Sequence, residues 1–150
     1  MTQRVYLDAN ILIAHQVRGH EFHRRATSII DELWNKKCHL VVSSLTMDEF
    51  FYGIIFILKS TQKEKTIQSF GSFAPIITTS TSAILSWERL ETIEFKHTPG
   101  ELLSIVKLMG THNLRPRDAF HLRTMQQQEI TQIATFDNDF DGINTITIIK

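Results

Sequence analysis

Four short β-prone runs separated by stretches of helical spacing constrain this chain more than any other feature. The runs are Val5-Tyr6-Leu7, His39–Ser43 (HLVVS), residues 130–136 and residues 143–149 (INTITII). Between the first two, Phe22, Ala26, Ile29, Ile30 and Leu33 recur at helical spacing and predict a helix over residues 21–37, closed by two lysines that suit a carboxyl-terminal dipole. After the second run, Met47, Phe50, Phe51, Ile54, Ile55 and Leu58 form another helical stripe. Residues 60–110 read as helices with little else. Ile67 and Phe70 mark one. Ile84, Leu85, Leu90 and Ile93 mark another, and Leu102, Leu103, Val106 and Met109 behind Pro99 mark a third. The Ser/Thr cluster at residues 78–82 reads as a loop and a cap. Pro116 opens one more helix as a first-turn proline, with Ala119, Phe120, Leu122 and Met125 on its buried side. Strands alternating with helices predict an α/β fold: a mostly parallel sheet of four to five strands with helices on both faces. In such sheets the ends of the strands and the starts of the following helices share one edge, and ligands bind there.

The length of 150 residues fits one domain spanning residues 1–150. Sixteen basic side chains balance sixteen acidic ones, which excludes a histone-like nucleic-acid coat and an acidic disordered tail. The single cysteine, Cys38, can form no internal disulfide. The amino terminus is too short and too polar in its apolar stretch for a signal peptide or a membrane span, so a soluble, cytoplasmic protein with no membrane partner is expected.

The carboxylates fall on this layout in a pattern. Asp8 ends the first strand, and Glu49 lies in the first turns of the helix after the second. Asp118 lies in the first turn after Pro116, and Asp137 and Asp139 follow the third strand. Four separate segments therefore deliver acids to one edge of the sheet. Clustered carboxylates raise one another's pKa unless a cation joins them. Hard oxygen ligands without thiolate suit Mg²⁺ or Mn²⁺, and magnesium completes its shell with substrate phosphate. That combination belongs to nucleases and other phosphoryl-transfer enzymes.

Each acid alone also has a plain structural reading. Asp8 with Asn10 fits a strand-end turn. Thr46-x-x-Glu49 fits a capping box. Asp118 could complement a helix dipole, and Asp137-Asn138-Asp139 with Asp141 could form a solvated turn. Only their convergence on one edge favours a metal site.

The ordered set of motifs resembles the PIN-domain family. Tyr6-Leu7-Asp8-Ala9-Asn10 resembles the opening motif, and Ser43-Ser44-Leu45-Thr46-Met47-Asp48-Glu49-Phe50 the second. Arg115-Pro116-Arg117-Asp118-Ala119 resembles the third, and Thr135-Phe136-Asp137-Asn138-Asp139-Phe140 the closing one. The resemblance implies a PIN-like three-layer α/β/α fold and a metal-dependent endoribonuclease, most often a VapC-type toxin. It implies Asp8, Glu49, Asp118 and Asp137 as catalytic and metal-binding acids, with Asp139 auxiliary. Asn10 and Thr135 would support them, and Mg²⁺ or Mn²⁺ would be the cofactor. Asp48 competes with Glu49, and the family spacing favours Glu49. The resemblance also implies RNA as substrate and, for a toxin, a small antitoxin partner. A housekeeping RNA-processing enzyme and a non-catalytic binding or assembly module stay open.

An acidic site repels RNA, so flanking positive charge is needed. Arg115 and Arg117 should lie near the cleft, and Arg24 and Arg25 follow the first strand. Lys59, Lys63 and Lys65 form another basic patch. His15, His20 and His23 lack a second ligand pair at a zinc-like spacing, and His121 reads as a packed or surface histidine. Phe50, Phe51, Tyr52 and Phe56 read as core or as a homodimer face. A haloacid-dehalogenase-like phosphatase would want an acid where Asn10 stands. A receiver domain would want a late lysine, and residues 109–149 contain none.

Overall fold

The computed structural model describes residues 2–61 and 69–150. Strand β1 (Arg4–Leu7) runs into helix α1 (Ala9–Gln16) and then α2 (His23–Asn35). Next come β2 (His39–Ser43), α3 (Ser44–Thr61), a 3₁₀ turn (Phe70–Phe73) and α4 (Ala74–Leu85). Then follow β3 (Leu90–Ile93), α5 (Pro99–His112), α6 (Pro116–Gln127), β4 (Gln132–Ala134) and β5 (Thr147–Ile149).

All five strands are parallel, in the order β3-β2-β1-β4-β5. Strand residues alternate between two apolar cores, as the two-residue period of a strand requires. Val5, Leu7, Leu40 and Val42 face α1, α2, α3 and α4, where Ile11, Leu12, Ile30, Phe50 and Ile84 are buried. Tyr6, Val41 and Ile133 face α5 and α6, where Ile105, Leu122 and Met125 are buried. A sheet covered on both faces explains why its strands read as short continuous apolar runs. The architecture is the expected three-layer α/β/α.

The strand order sets the position of a ligand crevice. From β1 the chain moves outward to β2 and β3, then returns to the other side of β1 for β4 and β5. The direction of winding reverses between β1 and β4. At such a switch point the loops leaving the two neighbouring strands part in opposite directions and open a cleft at their carboxyl ends. Asp8 leaves β1 there. Its backbone N–H still bonds the Ala134 carbonyl at 3.0 Å, so Asp8 stands beside the end of β4 and Thr135.

Several elements differ from the sequence reading. Helix α1 lies between the first strand and the first expected helix. It has almost no polar face, because Ala9, Ile11, Leu12 and Ala14 are all buried, so it shows no amphipathic period. Leu90 and Ile93 belong to an edge strand and not to a helix. Arg89, at φ 59°, ends the turn after Trp87 and redirects the chain into β3. Residues 78–82 lie inside α4 and not in a loop. On α5 the buried residue is Ile105, whereas Leu103 and Val106 are exposed. Phe50 is core, but Tyr52 and Phe56 are exposed on α3. Ile67, Lys63 and Lys65 lie outside the described residues. Among the described residues, no helix is long and apolar enough to cross a membrane.

Helix α3 approaches α1 through Gly53. A Cβ built there would lie 2.2 Å from Ile13 Cδ1. Ile13 in turn lines the cleft that holds the acids.

Candidate metal centre

A cleft of about 580 Å³ opens at the switch point, lined by Asp8, Asn10, Glu49, Arg115, Arg117, Asp118 and Asp137 among others. The four acids come from four segments: the β1–α1 junction, α3, the first turn of α6 and the loop after β4. Asp48, the competitor of Glu49, lines a different pocket with Phe95, His97 and Phe120.

Asp8 is the N-cap of α1, yet its side chain makes no cap bond. Its Oδ2 accepts from Thr135 Oγ1 at 2.6 Å and from Asn10 Nδ2 at 3.0 Å. Asn10 accepts in turn from the Phe136 backbone N–H at 3.2 Å. Its bond to Thr135 aims this carboxylate across the sheet edge. Burial pushes its pKa up, opposed chiefly by His121 and by the Thr135 hydrogen bond.

Glu49 is likewise free of the capping role that its position suggested. The cap of α3 is made by Ser43 and Thr46. The Thr46 N–H donates to Ser43 Oγ at 3.2 Å, and the Ser43 N–H approaches Thr46 Oγ1 at 3.4 Å. Glu49 instead accepts from His121 Nε2 at 2.8 Å and faces Arg117 Nη1 at 3.7 Å.

The loop after β4 is wound by its own hydrogen bonds. Asp137 N–H donates to Thr135 Oγ1 at 2.9 Å, and Asp139 N–H donates to Asp137 Oδ1 at 2.9 Å. Asp139 also pairs with Arg115 at 3.3 Å. Asp118, Asp137 and Asp139 each offer an oxygen within 4.8 Å of the others, as do Asp8 and Glu49 with the His121 nitrogen. Burial first, and then the negative charges of Asp137 and Asp139, push the Asp118 carboxyl up to about 6. Acids held this close against one another are a donor set that a divalent cation would relieve, so the residues fit Mg²⁺ or Mn²⁺.

The basic residues divide. Arg115 and Arg117 line the cleft. The Arg25 guanidinium lies 5.7 Å from the centroid of the Phe136 ring, next to the acidic loop. Arg24 lines a separate depression with Asp31 and Glu32. Lys59 stacks over Phe70 at 4.6 Å. Among the described residues, His15, His20 and His23 join no group of metal-ligating side chains.

Two residues in this site were not expected from sequence. His121 is buried beneath the cleft, and Tyr6 is bonded to it at 2.7 Å. The signal for His121 was its spacing, three residues after Asp118 on one helix face. For Tyr6 it was a hydroxyl in the middle of an otherwise apolar buried strand, where it must find a partner.

The PIN domain family matches residues 5–145. Comparison with curated proteins finds no match. Among solved structures, the chain is similar to VapC20 of Mycobacterium tuberculosis, described as a sarcin–ricin loop cleaving toxin. The TM-score is 0.62 at 15% identity, covering 93% of this chain and 95% of that one. It is also similar to a toxin–antitoxin complex from Klebsiella pneumoniae (TM-score 0.62, 18% identity, 97% and 96% covered). A third similar structure is VapBC2 of Rickettsia felis bound to a DNA fragment from its promoter (TM-score 0.62, 18% identity, 98% and 98% covered). At these identities the likeness is one of fold.

Proposed function

Because the chain belongs to the PIN-domain family, we propose that it is a Mg²⁺- or Mn²⁺-dependent endoribonuclease and acts as the toxin of a toxin–antitoxin pair. The observation that carries this reading is the convergence of Asp8, Glu49, Asp118 and Asp137, from four separate segments, on one cleft. The likeness in fold to structures described as toxins and toxin–antitoxin complexes supports the biological role.

Asp8, Glu49, Asp118 and Asp137 would hold the cation, with Asp139 auxiliary. A bound divalent ion supplies charge to neutralise the scissile phosphate and lowers the pKa of water near it. Asn10 and Thr135 keep one Asp8 oxygen occupied and the carboxylate aimed at the cleft. Arg115 and Arg117 stand at the mouth with exposed guanidinium groups, which suit the bidentate grip of a phosphate. Hydrolysis adds water across the P–O3′ bond and leaves 5′-phosphate and 3′-hydroxyl ends. No side chain need form a covalent intermediate.

Exposed apolar side chains support further protein partners. Tyr52 and Phe56 on α3, and Leu103 and Val106 on α5, present surface that a second copy or an antitoxin would cover. The experiment that tests the activity is incubation of the purified chain with mixed RNA. Cleavage that needs Mg²⁺ or Mn²⁺, stops with chelator and is lost in Asp8→Asn supports the proposal. No cleavage with any divalent ion would favour a binding module.

A further inference from the structure

Glu49 reaches the cleft in contact with a buried polar chain. Its Oε2 bonds His121 Nε2 at 2.8 Å, and His121 is only 1% exposed. The other ring nitrogen, Nδ1, lies 2.7 Å from the hydroxyl of Tyr6, which is 0% exposed. That hydroxyl also meets Ser43 Oγ at 2.6 Å and accepts from Thr46 Oγ1 at 3.1 Å. Ser43 and Thr46 are the reciprocal cap of α3, the helix that carries Glu49. One hydrogen-bonded chain therefore ties β1, α3 and α6 together directly under the acids.

The hydrogens can be counted along it. A carboxylate only accepts, so the hydrogen between His121 and Glu49 sits on Nε2. A neutral ring then has its lone pair at Nδ1, where it takes the Tyr6 O–H. The Tyr6 oxygen in turn accepts from Ser43 and Thr46. This arrangement gives each contact at Tyr6 one hydrogen.

We propose that Tyr6 and His121 are positioning residues: Tyr6 holds the His121 ring in place through Nδ1, and His121 holds one Glu49 oxygen and leaves the other, which faces Arg117 Nη1 at 3.7 Å, for the cation. This rests on reading Glu49 as a cation ligand. It makes His121 a donor to a ligand and not itself a ligand, although its nitrogen lies within 4.8 Å of Asp8 and Glu49 oxygens. Hydrogen-bonded supports of this kind typically change metal affinity by about 10–100-fold when removed.

The test uses the full chain and does not depend on RNA cleavage. In the metal-free protein, ¹⁵N NMR of the histidine rings should find a hydrogen on His121 Nε2. Tyr6→Phe should shift the Nδ1 resonance, which loses its hydrogen bond, and leave the hydrogen on Nε2. Mn²⁺ titration followed by electron paramagnetic resonance should show binding about 10–100-fold weaker in Tyr6→Phe at an unchanged circular-dichroism spectrum. His121→Gln, which can still donate to Glu49, should retain most of the affinity that His121→Ala loses. That pair carries the test if Tyr6→Phe does not fold.

No hydrogen on Nε2, or equal Mn²⁺ affinity in all folded variants, overturns the proposal. A directly coordinated nitrogen in the Mn²⁺ spectrum also overturns it. If the wild-type chain binds no Mn²⁺, the nuclease reading fails, and the Nδ1 shift in Tyr6→Phe alone decides the Tyr6–His121 link.

Discussion

Asp118 bears a plain electrostatic cost. Its carboxyl is raised from 3.8 to about 6 by burial and by Asp137 and Asp139. A carboxyl with a raised folded-state pKa binds its proton more tightly in the folded chain than in the unfolded one. Its contribution to the stability of the metal-free protein therefore falls as pH rises from about 4 to about 6, and stays lowered above that. Asp118→Asn should raise the Tm of the metal-free protein at pH 7.5 and abolish RNA cleavage. The gain in Tm should shrink on approach to pH 4, and thermal melts of both proteins across this range check it. The supports of Asp8 make a second prediction. Thr135→Val removes a 2.6 Å donor and Asn10→Ala a 3.0 Å one. Each should weaken Mn²⁺ binding by about 10–100-fold, measured by calorimetric titration.

At the scale of elements, the packing of α1 on α3 gives a third prediction. A helical glycine normally costs about 1 kcal/mol relative to alanine. At Gly53 a larger residue meets Ile13, with the new Cβ 2.2 Å from Ile13 Cδ1. Gly53→Val should destabilise the chain by about 1–3 kcal/mol, read from urea denaturation. It should also lower activity, because Ile13 lines the cleft. The same elements show how far the sequence was legible. β2 reads directly because its apolar run is bounded and buried on both faces. α1 was hidden because nearly every side is covered, so no period appears. β3 looked helical because Leu90 and Ile93 stand three apart, a spacing that an edge strand can share by chance. Leu103 and Val106 read as a core stripe but face outward, since sequence pattern cannot tell a core face from a partner's face. The acids were legible because each sits at a strand end or helix start, where topology alone sends it to the cleft. Their hydrogen-bond partners depend on side-chain direction across elements distant in sequence, and only His121 had a local clue.

Across the whole molecule, sixteen positive and sixteen negative side chains cancel, so under the proposed function attraction for RNA would be local. Among the described residues, Arg115 and Arg117 are the cations that line the cleft. With about two to four phosphates neutralised, log(kcat/KM) should fall against log salt with a slope of roughly −1.4 to −2.8. Arg117→Ala should make that slope shallower by about 0.7, measured over a series of salt concentrations. All of this depends on one physical claim: acids from β1, α3, α6 and the loop after β4 share a divalent cation. Its most direct test is a crystal soaked in Mn²⁺ and measured at a wavelength where manganese scatters anomalously. The expected result is a strong peak within about 2.5 Å of oxygens from at least two of Asp8, Glu49, Asp118 and Asp137. An anomalous map with no peak among these four acids at saturating Mn²⁺ would contradict it.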